Sequence, residues 1–158
     1  MVQAMTLDLE EMLKAAASAV FPTMLNMQVT FMPPNDAMAG ESFVAGTIGF
    51  TGNFSAVLYL STTSEFARKM TGSMLGLSDS KIEGNAMVND ALGELTNMHA
   101  GHVKTRLCDK RIPCCMTIPT VIRGSEFKIR PITGFQKLAL WVCSGSEKVT
   151  LALLYKQP

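Results

Sequence analysis

The longest helical pattern in the chain is EGNAMVNDALGELTNMHAGHVKTRL, residues 83–107. Its apolar residues Val88, Leu92, Leu95 and Val103 recur at helical spacing and fall on one side of the predicted helix. Strand-like segments rich in Val, Ile, Phe and Tyr come in blocks before and after it, joined by short turns. Because the strands do not alternate with helices, we expect an α+β fold in which long helices cover one face of an antiparallel β-sheet.

The remaining elements follow from local signals. A first helix is predicted over 6–20, with Thr6 as its N-cap and Pro22 ending it. Thr62 and Glu65 form a capping-box pattern that opens a second helix, which runs to about Leu75. Strands are predicted over 25–33, 43–50 and 54–60 before the long helix, and over 115–122, 126–131, 137–143 and 148–155 after it. The strands over 43–50 and 54–60 are expected to form a hairpin, and the four strands after the long helix are expected to form a meander.

Composition limits the classes of protein that the chain can be. Its 158 residues suit one domain, 1–158, and 47% hydrophobic with 17% charged residues excludes a disordered chain. No apolar run has the roughly 18 residues of a membrane span, and no signal peptide is evident, so we expect a cytoplasmic protein without a membrane partner. The net charge of +1 argues against a nucleic-acid partner. Cations are concentrated over 102–137, which fits steering of an acidic protein as well as an ordinary solvated face.

The helix over 83–107 has an unusual outward face. Asp90, Glu94, Asn97, Gly101 and Lys104 fall within an arc of roughly 80°, opposite the apolar side. We call these five residues the polar stripe. Glu94 and Asn97 stand three residues apart and can reach the same external point, while a mid-helix glycine costs about 1 kcal/mol and permits close approach. A binding face explains this pattern, and so does an ordinary solvated helix face with a tolerated glycine.

A resemblance favours the binding face. The segment DALGELTNMHAGHVKTRL resembles the signature helix of the CheC/CheX/FliY family of chemotaxis phosphatases, which carry Asp or Ser, three residues, Glu, two residues, Asn, then 21 residues and Pro. Asp90, Glu94, Asn97 and Pro119 match every interval. The order of elements also resembles the whole family domain. A single Glu–Asn motif is typical of CheX-like members, because CheC-like members usually carry two.

The resemblance implies an enzyme that hydrolyses the phosphoaspartate of a CheY-like response regulator. Asn97 would orient the attacking water and Glu94 would dock on the regulator's active-site lysine. Asp90, Gly101 and Lys104 would contribute to binding. The protein would need no cofactor of its own, because the regulator supplies Mg²⁺. CheX-like proteins are typically homodimers, and the apolar strand 137–143 would be covered by joining sheet edges of two copies.

Two other functions remain open from the sequence. The chain could be a non-catalytic CheC-like module that binds a response regulator or a motility component. It could also be a metal hydrolase built from His99, His102 and the cysteines, although their spacing matches no familiar ligand pattern and we expect no metal site. His99 falls on the apolar side of the helix, where a core histidine is the more ordinary interpretation. The cysteines are Cys108, Cys114, Cys115 and Cys143.

Overall fold

The computed structural model describes residues 8–34, 43–125 and 129–156. The elements follow in the order α1 (Leu9–Leu25), β1 (Thr30–Met32), β2 (Phe43–Gly52), β3 (Ser55–Thr63), α2 (Ser64–Leu75), a 3₁₀ turn (Asp79–Lys81), α3 (Gly84–Asp109), β4 (Cys114–Met116), β5 (Thr120–Gly124), β6 (Gln136–Ser144) and β7 (Glu147–Lys156). The predicted α+β class is confirmed. None of the helices in these ranges is both long and apolar enough to span a membrane.

All the strands join one antiparallel sheet in the order β1-β6-β7-β3-β2-β4, and β5 also pairs with β2. The predicted β2–β3 hairpin is confirmed, with Phe50 opposite Ala56 beside its turn. The predicted meander of the last four strands is wrong. β4 and β5 lie beside β2, whereas β6 and β7 lie on the far side of β3. Turn residues indicate where strands end, but they do not choose between distant pairing partners.

The helices cover one face of this sheet and form the main core with it. Alternate residues of β2, such as Val44 and Ile48, are buried in the same cluster as Leu13 of α1 and Leu92 and Leu95 of α3. One set of alternate strand residues and one side of each helix therefore pack together in a single layer. The predicted covering of one face by helices is confirmed.

Two helix boundaries differ from the sequence prediction. Thr6 lies outside the described residues, and Asp8 caps α1 by accepting a hydrogen bond from the backbone N–H of Glu11 at 3.0 Å. Pro22 does not end α1, which continues to Leu25. A proline removes only one helical hydrogen bond directly, and the burial of Phe21 and Leu25 holds the next turn against the core.

The N-cap of α2 is also shifted by one residue. Thr63 caps the helix, since its hydroxyl accepts from the backbone N–H of Phe66 at 3.1 Å. The hydroxyl of Thr62 is buried and instead donates to the carbonyl oxygen of Lys148 on β7 at 2.8 Å. The predicted pairing of Thr62 with Glu65 is therefore wrong, because Thr62 belongs to the sheet.

Several predicted strands are shorter or divided. The strand predicted over 25–33 is reduced to β1, and the strand predicted over 115–122 is divided into β4 and β5. Of the strand predicted over 126–131, residues 126–128 lie outside the described residues and 129–131 form no strand. These segments lie at sheet edges or in connections, where apolar composition alone does not secure pairing.

Candidate functional site

Helix α3 presents the predicted apolar side to the core. Val88, Leu92, Leu95 and Val103 are all buried, as the periodicity predicts. At Gly46 the helix approaches β2 so closely that a Cβ on this glycine would lie 2.0 Å from the Thr96 hydroxyl oxygen. That hydroxyl donates to the carbonyl oxygen of Leu92 at 2.7 Å. The distance between α3 and the sheet is therefore set by the contact of Thr96 with Gly46, a position of β2 where only glycine fits.

The polar stripe faces outward. Asp90 and Glu94 are exposed, and Asn97, Gly101 and Lys104 are partly exposed. In the described parts of the chain, no hydrogen bond or ion pair engages the side chains of Asp90, Glu94, Asn97 or Lys104. Helical residues three apart have Cβ atoms about 5–6 Å apart, so the Glu94 carboxylate and the Asn97 carboxamide are neighbours with free polar atoms.

Gly101 leaves an opening in the stripe. A Cβ at this position would meet no atom of the described structure within 4 Å, apart from the helix itself. Packing against the described residues therefore does not require a glycine here. Its cost to the helix is explained if another molecule approaches the backbone at this point.

The β4–β5 edge borders the stripe, which agrees with the expectation from the sequence that Pro119 shapes a strand near this helix. The side of α3 at Gly93 lies against Pro119, whose Cβ and Cγ would be 3.9 Å from an added Cβ. One turn earlier, Arg123 Nε of β5 donates to Asn89 Oδ1 at 2.8 Å. These contacts hold the edge beside the first half of α3. In the sequence, the sign of this contact is the interval of 21 residues between Asn97 and Pro119, which matches the family's motif.

His99 belongs to the core and not to the stripe. It is fully buried, its ring meets Phe21 edge to face at 5.6 Å, and its Nδ1 lies 2.7 Å from the carbonyl oxygen of Leu95. Because a carbonyl only accepts, Nδ1 carries the proton and donates. Burial lowers the pKa of His99 to about 4, so the ring is neutral near pH 7. The sequence predicts a core histidine with its polar atoms satisfied. The core position is confirmed, but the buried Nε2 has no hydrogen-bond partner among the described residues.

The residues considered for a metal do not converge. His102 is exposed while His99 is buried, and the four cysteines are free thiols. Within residues 8–34, 43–125 and 129–156, no group of three or more His, Cys, Asp or Glu side chains is arranged to hold a metal ion. Within the stripe, the Glu94 carboxylate lies beside the Asn97 carboxamide, a pair suited to contacting and orienting an external group.

The fold and the outward helix together define an α+β protein of the CheC/CheX type. A family model described as chemotaxis phosphatase CheX matches residues 44–142, which include the whole of α3 and the β4–β5 edge. The chain belongs to this CheX family. The match ends at residue 142, within β6 and before β7, and the residues outside it complete the sheet and its helical cover.

Individual proteins agree with this assignment. The chain is 34% identical over 101 residues to the CheY-P phosphatase CheX of Thermotoga maritima, a match that spans 63% of this chain and 64% of that protein. The chemotaxis protein CheX of Vibrio vulnificus superposes with a TM-score of 0.80 at 22% identity, covering 94% of this chain and 97% of that one. CheX in the CheX–CheY–BeF₃–Mg²⁺ complex of Borrelia burgdorferi gives 0.78 at 21% identity, covering 94% and 98%.

Proposed function

We propose that the protein hydrolyses the phosphoaspartate of a CheY-like response regulator. The observation that carries the proposal is the pair of Glu94 and Asn97, side by side on the exposed side of α3 with no partner among the described side chains. The matched relative from Thermotoga maritima is named a CheY-P phosphatase, which supports the substrate class. The whole chain, 1–158, would act as one CheX-like domain.

Asn97 has the chemistry to orient the attacking water. Hydrolysis of an acyl phosphate needs a water in line with the bond that breaks, and the phosphoryl charge needs stabilisation. A carboxamide oxygen accepts a hydrogen bond from the water, and the amide NH₂ is free to donate to a neighbouring acceptor. Because Asn97 is partly exposed on a rigid helix, it can enter the regulator's site without local rearrangement.

Glu94 would dock the helix on the regulator. Its carboxylate is exposed and would pair with a lysine at the phosphorylation site, which fixes the reach of Asn97 one turn along. Asp90, Gly101 and Lys104 would extend the contact along the same stripe. Gly101 would permit close approach of the regulator's backbone, and the two charged side chains would engage its margin.

The protein would bring no cofactor, and Mg²⁺ would be held in the regulator's site. The existence of a CheX–CheY–BeF₃–Mg²⁺ complex from Borrelia burgdorferi supports a partner of this kind and a metal in the assembly. This chain's contribution would be positioning, through Asn97 and Glu94, while the metal stabilises negative charge on the transferring phosphoryl group.

We also propose a homodimer joined through sheet edges, with one correction to the sequence argument. The strand 137–143 is not a bare edge along its whole length, because β1 pairs with Trp141, Val142 and Cys143 of β6. Residues 136–140 have no pairing strand on that side among the described residues. This half of β6, together with β1, is the edge that a second copy would extend, which leaves both polar stripes accessible. Light scattering at micromolar concentration tests the dimer, and a monomer would contradict it.

The test of the proposed function is phosphate release from a panel of purified response regulators, phosphorylated by a small-molecule donor, with and without the protein. Asn97→Ala should fold normally and lose roughly 10²–10³-fold in activity, as expected when one positioned polar group is removed. Asn85→Ala is the matched control, because it makes the same chemical change at an exposed position of α3 outside the polar stripe, and it should retain wild-type activity. Wild-type turnover in Asn97→Ala would remove this residue from the mechanism.

A non-catalytic module that binds a regulator or a motility component is the second candidate, and the free polar stripe supports it equally as a docking surface. Binding of a phosphorylated regulator without faster phosphate loss would favour this function over the enzyme.

A further inference from the structure

Ile118 is a large apolar side chain that is 85% exposed at the sheet edge. It lies in the interruption between β4 and β5, which both pair with β2. Phe50 is opposite Met116 and Thr47 is opposite Thr120, so three residues of the edge face two of β2. This is a β-bulge with one extra residue, a device that turns a side chain away from its regular direction.

The bulge is held in place on both sides of Ile118. The backbone N–H of Thr117 donates to the carbonyl oxygen of Gly49 at 2.9 Å, and the N–H of Gly49 donates to the Thr117 hydroxyl at 2.9 Å. Pro119 on the other side packs beside Gly93 of α3. The exposure of Ile118 is therefore part of a fixed local structure, and ordering this segment on binding costs little.

The position of the bulge connects it to the polar stripe. Gly93 immediately precedes Glu94 and is four residues, about one turn, before Asn97. Ile118 is thus next to the residue that contacts the flank of α3. A stripe made only of polar groups would lack the apolar contact on which protein interfaces commonly depend.

We propose that Ile118 is an apolar contact for the receiver domain of the response regulator, flanking Glu94 and Asn97. This inference rests on the proposed function and names a further residue of the same docking surface. A second copy of the chain is a poorer occupant, because the bulge interrupts strand pairing and Pro119 offers no N–H to an added strand. The regulator fits because the contact is continuous with the stripe.

The test compares Ile118→Ser with Ile132→Ser. Ile132 is the matched control, since it is 73% exposed and precedes β6, which β7 and β3 separate from β2. Both substitutions alter exposed side chains, and circular dichroism with thermal unfolding verifies the fold. We expect Ile118→Ser to raise the KM for the phosphorylated regulator, and the Kd for a BeF₃-loaded regulator, by about tenfold or more with kcat unchanged. Ile132→Ser should behave as wild type.

A wild-type KM and Kd for Ile118→Ser would overturn the contact, and so would dissociation of a dimer by this substitution in light scattering. If wild-type protein binds a regulator without accelerating phosphate loss, the proposed enzymatic function fails while the Kd still tests Ile118. If it neither binds nor dephosphorylates any regulator in the panel, both proposals are overturned.

Discussion

Gly101→Ala should make the protein more stable and less able to engage its regulator. A Cβ at Gly101 would meet no atom of residues 8–34, 43–125 or 129–156 within 4 Å outside its own helix, so the substitution carries no packing penalty against them. Replacing a mid-helix glycine by alanine stabilises a helix by about 1 kcal/mol. For a chain of this length, that corresponds to a rise in Tm of roughly 2–4 °C. The added methyl group would at the same time occupy the opening through which the regulator is proposed to approach.

The loss in binding follows from the same geometry. An extra methyl group in a closely packed contact costs about 1–3 kcal/mol, which corresponds to roughly a five- to 150-fold rise in KM. Denaturant or thermal unfolding measures the first effect, and steady-state dephosphorylation of the regulator measures the second. Opposite signs of the two effects in one variant would separate a binding role for Gly101 from a structural one.

Gly46→Ala is the matched control, because it makes the same chemical change at a closed position. Its Cβ would lie 2.0 Å from the Thr96 hydroxyl oxygen, so the free energy of unfolding should decrease rather than increase. If Gly101→Ala stabilised the fold and left KM and Kd unchanged, the regulator would not approach α3 at this turn. If Gly101→Ala destabilised the fold, the open position described for this glycine would be wrong.

Three further outcomes test the site and its support. Gly46→Ala should lower the free energy of unfolding by about 1–3 kcal/mol, and a double-mutant cycle with Thr96→Ala should show coupling above about 0.5 kcal/mol; additive effects would contradict the contact. Glu94→Gln, which keeps the side-chain size, should weaken regulator binding by about 2–5 kcal/mol, and unchanged binding with failed chemistry would reverse the roles of Glu94 and Asn97. Because the pKa of His99 is about 4 when folded and 6.5 in its unperturbed state, the unfolded chain binds the proton first as pH falls. The contribution of neutral His99 to the free energy of unfolding is therefore complete above pH 6.5 and decreases by about 2 kcal/mol by pH 5. Urea unfolding of wild type and His99→Gln, measured above pH 6.5 and at pH 5, should show a decrease that is smaller by this amount in the variant.

The local properties of α3 were predictable from the sequence. Helical periodicity placed Leu92 and Leu95 in the core and Glu94 and Asn97 on the outside, because 3.6 residues per turn relates sequence spacing directly to direction. The α+β class followed in the same way from blocks of strands and their turns. The resemblance to chemotaxis phosphatases, carried by intervals between a few residues, agreed with the family to which the chain belongs.

What only the tertiary structure decided depends on contacts between residues far apart in the chain. The sequence alone did not indicate that β4 and β5 pair with β2, that a bulge exposes Ile118, or that Gly46 fixes the depth of Thr96. Strand order and bulges depend on which pairing of the apolar strands gives the whole sheet the lowest free energy. Local propensity does not distinguish among these pairings, because several strands have similar composition. Pro22 makes the same point within a helix, since the burial of Phe21 and Leu25 outweighs a local signal to stop. The polar stripe thus follows from helical spacing along one segment, whereas the β4–β5 edge beside it depends on the pairing of strands that are far apart in the sequence.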